Sequence, residues 1–302
     1  MRITQSMLAR VGIEQLFAQR NRLAHTQEQA ATGLRINRPS DNPVDYRTAQ
    51  HLKDSLSQTG RFLRTIDSSR SRLRTTELAI SDSSEVVVQA RIIALTAANS
   101  TNSGDARAAL RIQVEGLFSE LLDYSNARSP DGGFVFSGRA SDTTSFVQAG
   151  SFVSGAAPPT VTFAGDASRI DVEIDEGVFI DVTRDGTDVF QGAVDIFSVL
   201  GDLWAAIDSG TPADASSTIT DLDLALSQLS QERSQIGGAE NKANTFESRL
   251  RLQEQDLSGQ ISFLEDADAF EVFSDLAAQE AALQASLQVT SRLLSPTLLD
   301  FI

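Results

Sequence analysis

The sequence ATGLRINRPSDNP, at residues 31–43, holds the signals that end one helix and begin another. Gly33 is a favourable helix stop, because glycine readily adopts the left-handed conformation found just after a helix end. Asn42 can act as the N-cap of the next helix, with Pro43 as its first residue. We therefore predict one helix over 3–33 and a second helix that begins at Pro43.

The helix predicted over 3–33 has a thin apolar seam. Apolar residues recur every seven positions at Ala9, Leu16, Leu23 and Ala30. The apolar face is broader near its start, at Met7, Val11, Ile13 and Phe17, and Gln, Arg and Glu fill the rest. This seam is too thin for an ordinary two-stranded coiled coil, in which two of every seven positions are apolar. It suits a helix with neighbours on several sides. Leu16, Leu23 and Ala30 are therefore candidate assembly contacts.

The C-terminal part of the chain carries a second apolar pattern of the same period. Leucines recur every seven positions at Leu250, Leu257 and Leu264, and helical spacing continues until Pro296. The pattern predicts further long helices that share the assembly role of the first. The candidate contacts in this part are Leu264, Leu276, Leu283, Leu287 and Leu294.

Residues 134–190 differ in character from the helical segments on both sides. Short apolar stretches are separated by turn dipeptides such as Glu176-Gly177 and Asp185-Gly186. The many aspartates do not form a calcium loop, because the Asp-x-Asp-x-Asp-Gly pattern with a distal glutamate is missing. The predicted strands are 134–136, 160–163, 170–174 and 178–182.

The order of long helices, short strands and long helices predicts a mainly α fold with an inserted small β domain. A chain of this kind can fold back on itself, so that its first and last helices lie side by side. We expect long antiparallel helices, as a terminal coiled coil plus a helical bundle, and a β domain that projects outward. The predicted domains are a terminal coiled-coil segment (1–40 with 260–302), a helical rod domain (41–132 with 192–259) and the inserted β domain (133–191).

Charge is distributed unevenly along the 302 residues. The net charge of −16 makes nucleic acid a poor partner. Residues 1–74 carry 13 basic and 6 acidic residues, whereas residues 230–302 carry 5 basic and 12 acidic residues. This pattern predicts that the two ends attract each other, with chance segregation on solvated helix faces as the alternative. Residues 75–229 are strongly acidic, with 7 basic and 23 acidic residues.

A run of arginines on the second predicted helix has two interpretations. The run consists of Arg61, Arg64, Arg70, Arg72 and Arg74. Phosphate binding is one interpretation, and a solvated or helix-facing surface is the other. We favour the second, because the neighbouring helices are acidic.

The usual ingredients of catalytic and metal sites are missing from the sequence. The chain has no cysteine and only two histidines, His25 and His51, so thiolate sites and histidine-based triads lack their parts. No phosphate-binding loop or nucleophile elbow occurs, and Glu265, Asp266 and Asp268 are interpreted as carboxylates on one helix surface. We predict no enzyme activity, no catalytic residues, no metal and no cofactor. No apolar run approaches the roughly 20 residues that span a bilayer, so no membrane is expected.

Both ends of the chain resemble the flagellin superfamily. The N-terminal match consists of residues 1–7, MRITQSM, and the loop sequence at 31–43. Residues 278–302 resemble the C-terminus of the same superfamily. The segments FVFSG at 134–138 and DTTSF at 142–146 are similar to the entry into the β domain of its hook-associated members. The resemblance is strong at the two ends, looser in the centre, and covers most of the chain.

The resemblance implies a structural subunit of the bacterial flagellum at the junction of hook and filament, needed for filament attachment and motility. Filament-forming flagellin shares the terminal patterns and is the alternative. Terminal helices in this superfamily pack into concentric layers of the tube, and the subunits are exported by the flagellar type III apparatus without signal cleavage. The implied partners are further copies in a helical or ring array, hook-associated protein 1, flagellin, and an export chaperone that binds at about 260–302.

Overall fold

The computed structural model describes residues 5–98 and 103–294. Seven helices and four short strands occur in these ranges, so the predicted mainly α fold with a small inserted β region is confirmed. No helix in the same ranges is both long enough and apolar enough to span a membrane. The helices are α1 (Gln5–Thr32), α2 (Pro43–Ala97), α3 (Gly104–Ser125), α4 (Gly186–Phe190), α5 (Ile196–Ser209), α6 (Pro212–Glu265) and α7 (Ala269–Leu294).

The four strands form two separate antiparallel pairs. β1 (Phe146–Ala149) pairs with β2 (Thr160–Phe163), and β3 (Asp171–Asp175) pairs with β4 (Val178–Asp181). The predictions of β2, β3 and β4 are confirmed, with small shifts at their ends. β1 is an additional strand that the period-two pattern does not indicate, because only its first residue is buried.

The strand predicted at 134–136 is wrong. Phe134 makes a single isolated bridge to Arg128, and the segment continues as a loop. Phe134, Val135 and Phe136 are all buried, whereas a strand with one solvated face buries alternate residues. The Phe136 ring lies 5.1 Å from the Phe190 ring in an edge-to-face arrangement. The apolar run is therefore a loop packed into the core.

The chain divides into two compact units. Unit 1 consists of residues 1–58 and 252–302, and unit 2 consists of residues 59–251. α2 and α6 contribute residues to both units. The three predicted domains, with boundaries near 40, 132, 191 and 260, stay a prediction.

The core of unit 2 is rich in aromatic rings. Phe118 and Phe146 each lie within 5.7 Å of the Phe197 ring, measured between ring centroids. Trp204, the single tryptophan of the chain, is almost fully buried, and its Nε1–H donates to Glu115 Oε1 at 2.9 Å. The indole thus keeps its polar atom satisfied inside an apolar core.

Candidate assembly interface

Helices α1 and α7 of unit 1 pack against each other as an antiparallel pair. Thr26 Oγ1 donates to Gln279 Oε1 at 3.1 Å. Nearer the other end of the pair, a Cβ atom placed on Gly12 would lie 3.8 Å from Thr290 Oγ1. Residue numbers rise along α1 while those of their neighbours on α7 fall, so the two helices run in opposite directions. The predicted side-by-side arrangement of the first and last helices is confirmed.

The contact between α1 and α7 follows one regular seam. Its positions are separated alternately by four and three residues on both helices, which is the spacing of a coiled-coil interface. Every residue at these positions is buried or half-buried. The seam consists of Gly12, Leu16, Gln19, Leu23, Thr26 and Ala30 on α1, and of Val272, Leu276, Gln279, Leu283, Ser286 and Thr290 on α7.

The seam is poor in large apolar side chains. Only Leu16 and Leu23 are leucines among its six positions on α1. Gln19 Oε1 is buried without a hydrogen-bond partner, and an unsatisfied polar atom of this kind costs about 1–3 kcal/mol. Thr26 is satisfied by Gln279, and such a polar pair favours one register at some cost in stability. The α1–α7 pair is therefore held weakly by its own contacts, as the thin seam predicts.

The structure places most of the predicted assembly contacts in this seam. Leu16, Leu23 and Ala30 on α1, together with Leu276 and Leu283 on α7, are half-buried there. Leu264 is half-buried near the end of α6, whereas Leu287 is 51% exposed. The side chain of Leu294 lies outside the described residues. A role of these eight residues in contacts between copies stays a prediction.

Large apolar side chains outside the seam remain in contact with solvent. On α1, Val11 and Phe17 are 51% and 61% exposed. On α7, Phe270 is 86% and Phe273 is 59% exposed, and Val289 is also exposed. The seven-residue spacing did not identify Phe270 and Val289, because it selects residues on the seam rather than residues on the solvent-facing side of a helix. The available signal was large apolar residues at positions that the heptad leaves for solvent.

A backbone joint connects the end of α1 to the turn between α6 and α7. Gly33 adopts a positive φ of 71°, as the predicted helix stop requires. Its carbonyl oxygen accepts from Ala267 N–H at 2.9 Å, and Arg35 N–H donates to the Glu265 carbonyl oxygen at 2.6 Å. Leu34 and Asp266 form the antiparallel bridge between these two bonds. The joint fixes the ends of two helices that are more than 200 residues apart in sequence.

Three charged side chains support the joint. The Glu265 side chain is only 4% exposed, and its Oε2 lies 2.5 Å from Lys53 Nζ. Arg35 Nη2 donates to the Leu264 carbonyl oxygen at 2.7 Å, which satisfies an acceptor at the end of α6. A buried carboxylate requires such a partner, because an unpaired buried charge is strongly destabilising.

The interpretation of Glu265, Asp266 and Asp268 as carboxylates on one helix surface is wrong. Helix α6 ends at Glu265, and α7 begins at Ala269. Asp268 caps α7, because its Oδ1 accepts from the backbone N–H groups of Phe270 and Glu271. An aspartate followed three residues later by a glutamate is a known start signal for a helix, and this signal was present in the sequence.

The loop after the joint is organised by Asp41. Its Oδ2 accepts from the backbone N–H groups of Asn37 at 3.0 Å and Arg38 at 2.8 Å. His25 Nε2 lies 3.3 Å from Asp41 Oδ1, so this histidine packs on the loop. Desolvation raises the pKa of Asp41, but the two backbone donors and His25 outweigh it and hold the pKa below its ordinary value.

The predicted start of the second helix is confirmed. Pro43 is the first residue of α2. Asn42 Oδ1 accepts from the backbone N–H groups of Val44 at 3.2 Å and Asp45 at 3.1 Å, so Asn42 is the N-cap. The segment 33–45 therefore has a defined conformation that its local sequence largely specifies.

Charge contributes little directly to the contact between α1 and α7. α1 contains three arginines and two glutamates, and α7 contains three acidic residues and one arginine. Among the side chains that the structure describes, no ion pair joins the two helices. The positive charge of residues 1–74 lies mainly after α1. Attraction between the ends as a long-range effect stays a prediction.

The described part of the chain holds no group of three histidine, cysteine, aspartate or glutamate residues arranged for a metal ion. The exposed apolar residues of α1 and α7 offer packing surfaces, and binding of other helices there stays a prediction.

Comparisons with known proteins identify both ends of the chain. Residues 3–141 match the bacterial flagellin N-terminal helical region, and residues 219–302 match the bacterial flagellin C-terminal helical region. Flagellar hook-associated protein 3 of Escherichia coli strain K12 is 29% identical over 143 residues, which is 47% of this chain and 44% of that protein. B-type flagellin of Pseudomonas aeruginosa is 31% identical over 131 residues, which is 43% of this chain and 27% of that protein.

The fold is also found among solved structures. A putative flagellar hook-associated protein from Vibrio parahaemolyticus has a TM-score of 0.66 and 17% identity, and the match covers 74% of this chain and 99% of that chain. At this identity, the likeness establishes the fold alone. The matches to the two curated relatives span less than half of the length of each relative.

Proposed function

Because this chain belongs to the flagellin superfamily, we propose that it is the structural subunit that joins the flagellar hook to the filament. Its relatives are structural proteins of the flagellum, and two curated ones are flagellar hook-associated protein 3. In this role the chain is a building block outside the cell rather than an enzyme. It is needed for filament attachment and hence for motility.

The observation that carries the proposal is the exposed apolar face of the α1–α7 pair. Val11 and Phe17 on α1 and Phe270 and Phe273 on α7 are more than half exposed. Large apolar side chains in contact with water favour association with another surface. The seam between the helices is thin, so packing against further helices would add the stability that the pair lacks by itself.

Neighbouring copies are the first partners of this face. The exposed apolar residues of the antiparallel pair can contact the helices of a neighbouring copy. Contacts between unlike surfaces repeat head to tail and close into a ring or continue as a helix. Hook-associated protein 1 on the hook side and flagellin on the filament side would then meet the two ends of this array. The predicted contacts at Leu16, Leu23, Leu276, Leu283 and Leu287 belong to this part of the proposal.

Before assembly, the exposed residues need protection from unwanted association. We place the binding site of an export chaperone at about 260–302, where Phe263, Phe270 and Phe273 are exposed. Export by the flagellar type III apparatus without signal cleavage would deliver the chain to the growing tip. A chaperone that covers these phenylalanines would prevent aggregation on the way.

The test of the proposed function is deletion of the gene and complementation. The expected phenotype is cells that keep their hooks, lose their filaments and shed flagellin into the medium. Electron microscopy of purified hooks and an immunoblot of the culture medium measure the two effects. Normal filaments on the deletion strain would contradict the proposal.

Filament-forming flagellin is the second candidate, because flagellins from two bacteria also match part of the chain. The two roles differ in what the purified chain does alone. A flagellin polymerises by itself into long filaments. A junction subunit forms only a short layer, which is bounded by the hook on one side and the filament on the other. Long filaments formed by the purified chain would favour the second candidate.

A further inference from the structure

A cleft of about 800 Å³ lies along α2 in unit 2. One side is the α2 face that carries Arg61, Arg64 and Arg72, and the opposite side is formed by Ile170 and Val172 of the β3–β4 hairpin region. Arg70 belongs to the same arginine run but faces α6, where it pairs with Glu247 and Asn244. The interpretation as a helix-facing surface is therefore confirmed for Arg70, but three other arginines of the run line an open cleft.

Two arginines of the cleft, Arg64 and Arg72, are incompletely neutralised. Arg64 has no ion pair or hydrogen bond to any residue that the structure describes. The Arg72 side chain is only 13% exposed, its Nε is buried without a partner, and Nη1 is 3.8 Å from Asp131 Oδ2. Asp131 is the one carboxylate among the described lining residues. A buried guanidinium favours an oxygen anion that can accept its remaining hydrogen bonds.

The outer face of the β3–β4 hairpin has the opposite charge. Ile174 is buried in the core on the inner face, whereas Asp171 and Glu173 are exposed, as alternation along a strand requires. Phe179 lies directly across from Glu173 and is 51% exposed. Asp171 forms no ion pair among the described side chains. This face therefore offers carboxylates beside one apolar ring, which suits a cleft of arginines with apolar walls.

We propose that the outer face of this hairpin in one copy docks into the arginine cleft of the next copy. The hairpin borders the cleft with its inner side and presents the carboxylates on its outer side. A contact between these unlike surfaces repeats from copy to copy in a head-to-tail array. The proposal rests on the proposed function, because a flagellar array would bring copies side by side. It assigns unit 2 a lateral contact that is separate from the contacts of α1 and α7.

Geometry is compatible with this pairing. Asp171 and Glu173 are two residues apart on a strand, so their carboxylates are about 7 Å apart along it. Arg61 and Arg64 are three residues apart on α2, a rise of about 4.5 Å along the helix. Long arginine side chains can cover the difference. Charge-assisted pairs of this kind mainly select the partner and its register.

Cysteine cross-linking in assembled flagella tests the contact, because the chain contains no cysteine of its own. Ser68 lies in the cleft, and Phe179 lies on the outer face of the hairpin. A chain with Ser68→Cys and Phe179→Cys should form a ladder of disulfide-linked copies after mild oxidation on the cell. Each single cysteine should give no ladder. A matched control pairs Ser68→Cys with Ser216→Cys, a change at an exposed position on α6.

Charge reversal then tests the chemistry of the contact. Adding Arg64→Glu to the cross-linking pair should abolish the ladder, and adding Asp171→Arg as well should restore it, because each contact then again joins opposite charges. A ladder of equal strength from the control pair would overturn the proposal. So would a ladder that persists unchanged with Arg64→Glu.

The outcomes also separate this contact from the junction role. If filaments attach normally and the cross-linking pair gives no ladder, the lateral contact is wrong and the junction role stands. If deletion of the gene leaves filaments attached, the junction role is wrong and the contact falls with it. Saturable binding of citrate to the purified full-length chain, without any ladder on cells, would assign the cleft to a small polyanion and overturn the proposal.

Discussion

Replacement of Leu283 by aspartate tests whether the α1–α7 seam is part of the assembly machinery. Leu283 is half-buried on α7 at a regular position of the seam. Full burial of a leucine contributes about 1.5–3 kcal/mol, so its half-burial contributes about 1 kcal/mol. A carboxylate confined to the same place without a partner costs a further 1–3 kcal/mol or so. The contact between α1 and α7 should therefore lose about 2–4 kcal/mol of stability in total, in a seam that already contains an unsatisfied glutamine.

We expect Leu283→Asp to prevent filament attachment while the core of unit 2 stays folded. Trp204 is the single tryptophan and lies in that core, so its fluorescence during urea unfolding reports on unit 2 alone. The unfolding midpoint should match that of the unmodified chain. Electron microscopy of cells, with counts of hooks that carry filaments, measures attachment.

Ala285→Asp is the matched control, because it adds the same charge to the same helix at an exposed position. It should leave filament attachment intact. Leu283→Met, which keeps a similar apolar volume, should also be tolerated. Normal attachment with Leu283→Asp would refute the reasoning. Equal loss with Ala285→Asp would show that charge on α7, rather than the seam, is responsible.

Three further predictions concern stability. Asp41→Asn should destabilise the loop that Asp41 organises by about 1 kcal/mol at pH 7, seen as a lower midpoint of thermal unfolding by circular dichroism. Because the folded pKa of Asp41 is lowered, the stability that this carboxylate contributes is present above the unfolded pKa and is lost as pH falls through the folded pKa. A difference in midpoint between variant and unmodified chain that persists in strong acid would contradict the assignment. Lys53→Met should destabilise unit 1 by about 1–3 kcal/mol, because it leaves buried Glu265 unpaired. The loss of stability should be smaller when Glu265→Leu is added, and losses that simply add would refute the ion pair. Phe197→Ala should lower the free energy of unfolding of unit 2 by about 3–5 kcal/mol, because this ring is buried in the core. Trp204 fluorescence during urea unfolding measures the change, and a value below about 1 kcal/mol would place the ring outside the core.

Local signals in the sequence were sufficient for helix ends. Gly33, Asn42 and Pro43 end α1 and begin α2 as predicted, because a cap depends on residues within one helical turn. Asp268 carries the same kind of signal but was interpreted as a surface carboxylate. The apolar run at 134–136 was mistaken for a strand, because a short buried run has the same composition in a strand and in a packed loop.

The seam was predictable in part. Seven-residue spacing identified Leu16 and Leu23, and helical spacing identified Leu276 and Leu283; the structure places all four in one antiparallel contact. The same spacing could not identify the exposed face that includes Phe270, since exposure depends on which side of a helix its partner covers. The burial of Glu265 beside Lys53 was also beyond reach, because these residues are 212 positions apart in sequence.

The sequence by itself therefore determined the helix boundaries, the mainly α composition and the flagellin-like ends, since each depends on short-range patterns of caps, turns and apolar spacing. Tertiary structure alone decided the joint at Gly33 and Glu265, the face of α1 and α7 that stays exposed, and the arginine cleft of unit 2. The cleft brings together α2, the loop at 129–131 and the β3–β4 hairpin. These features arise from packing between distant segments, and no local pattern encodes which distant surfaces meet.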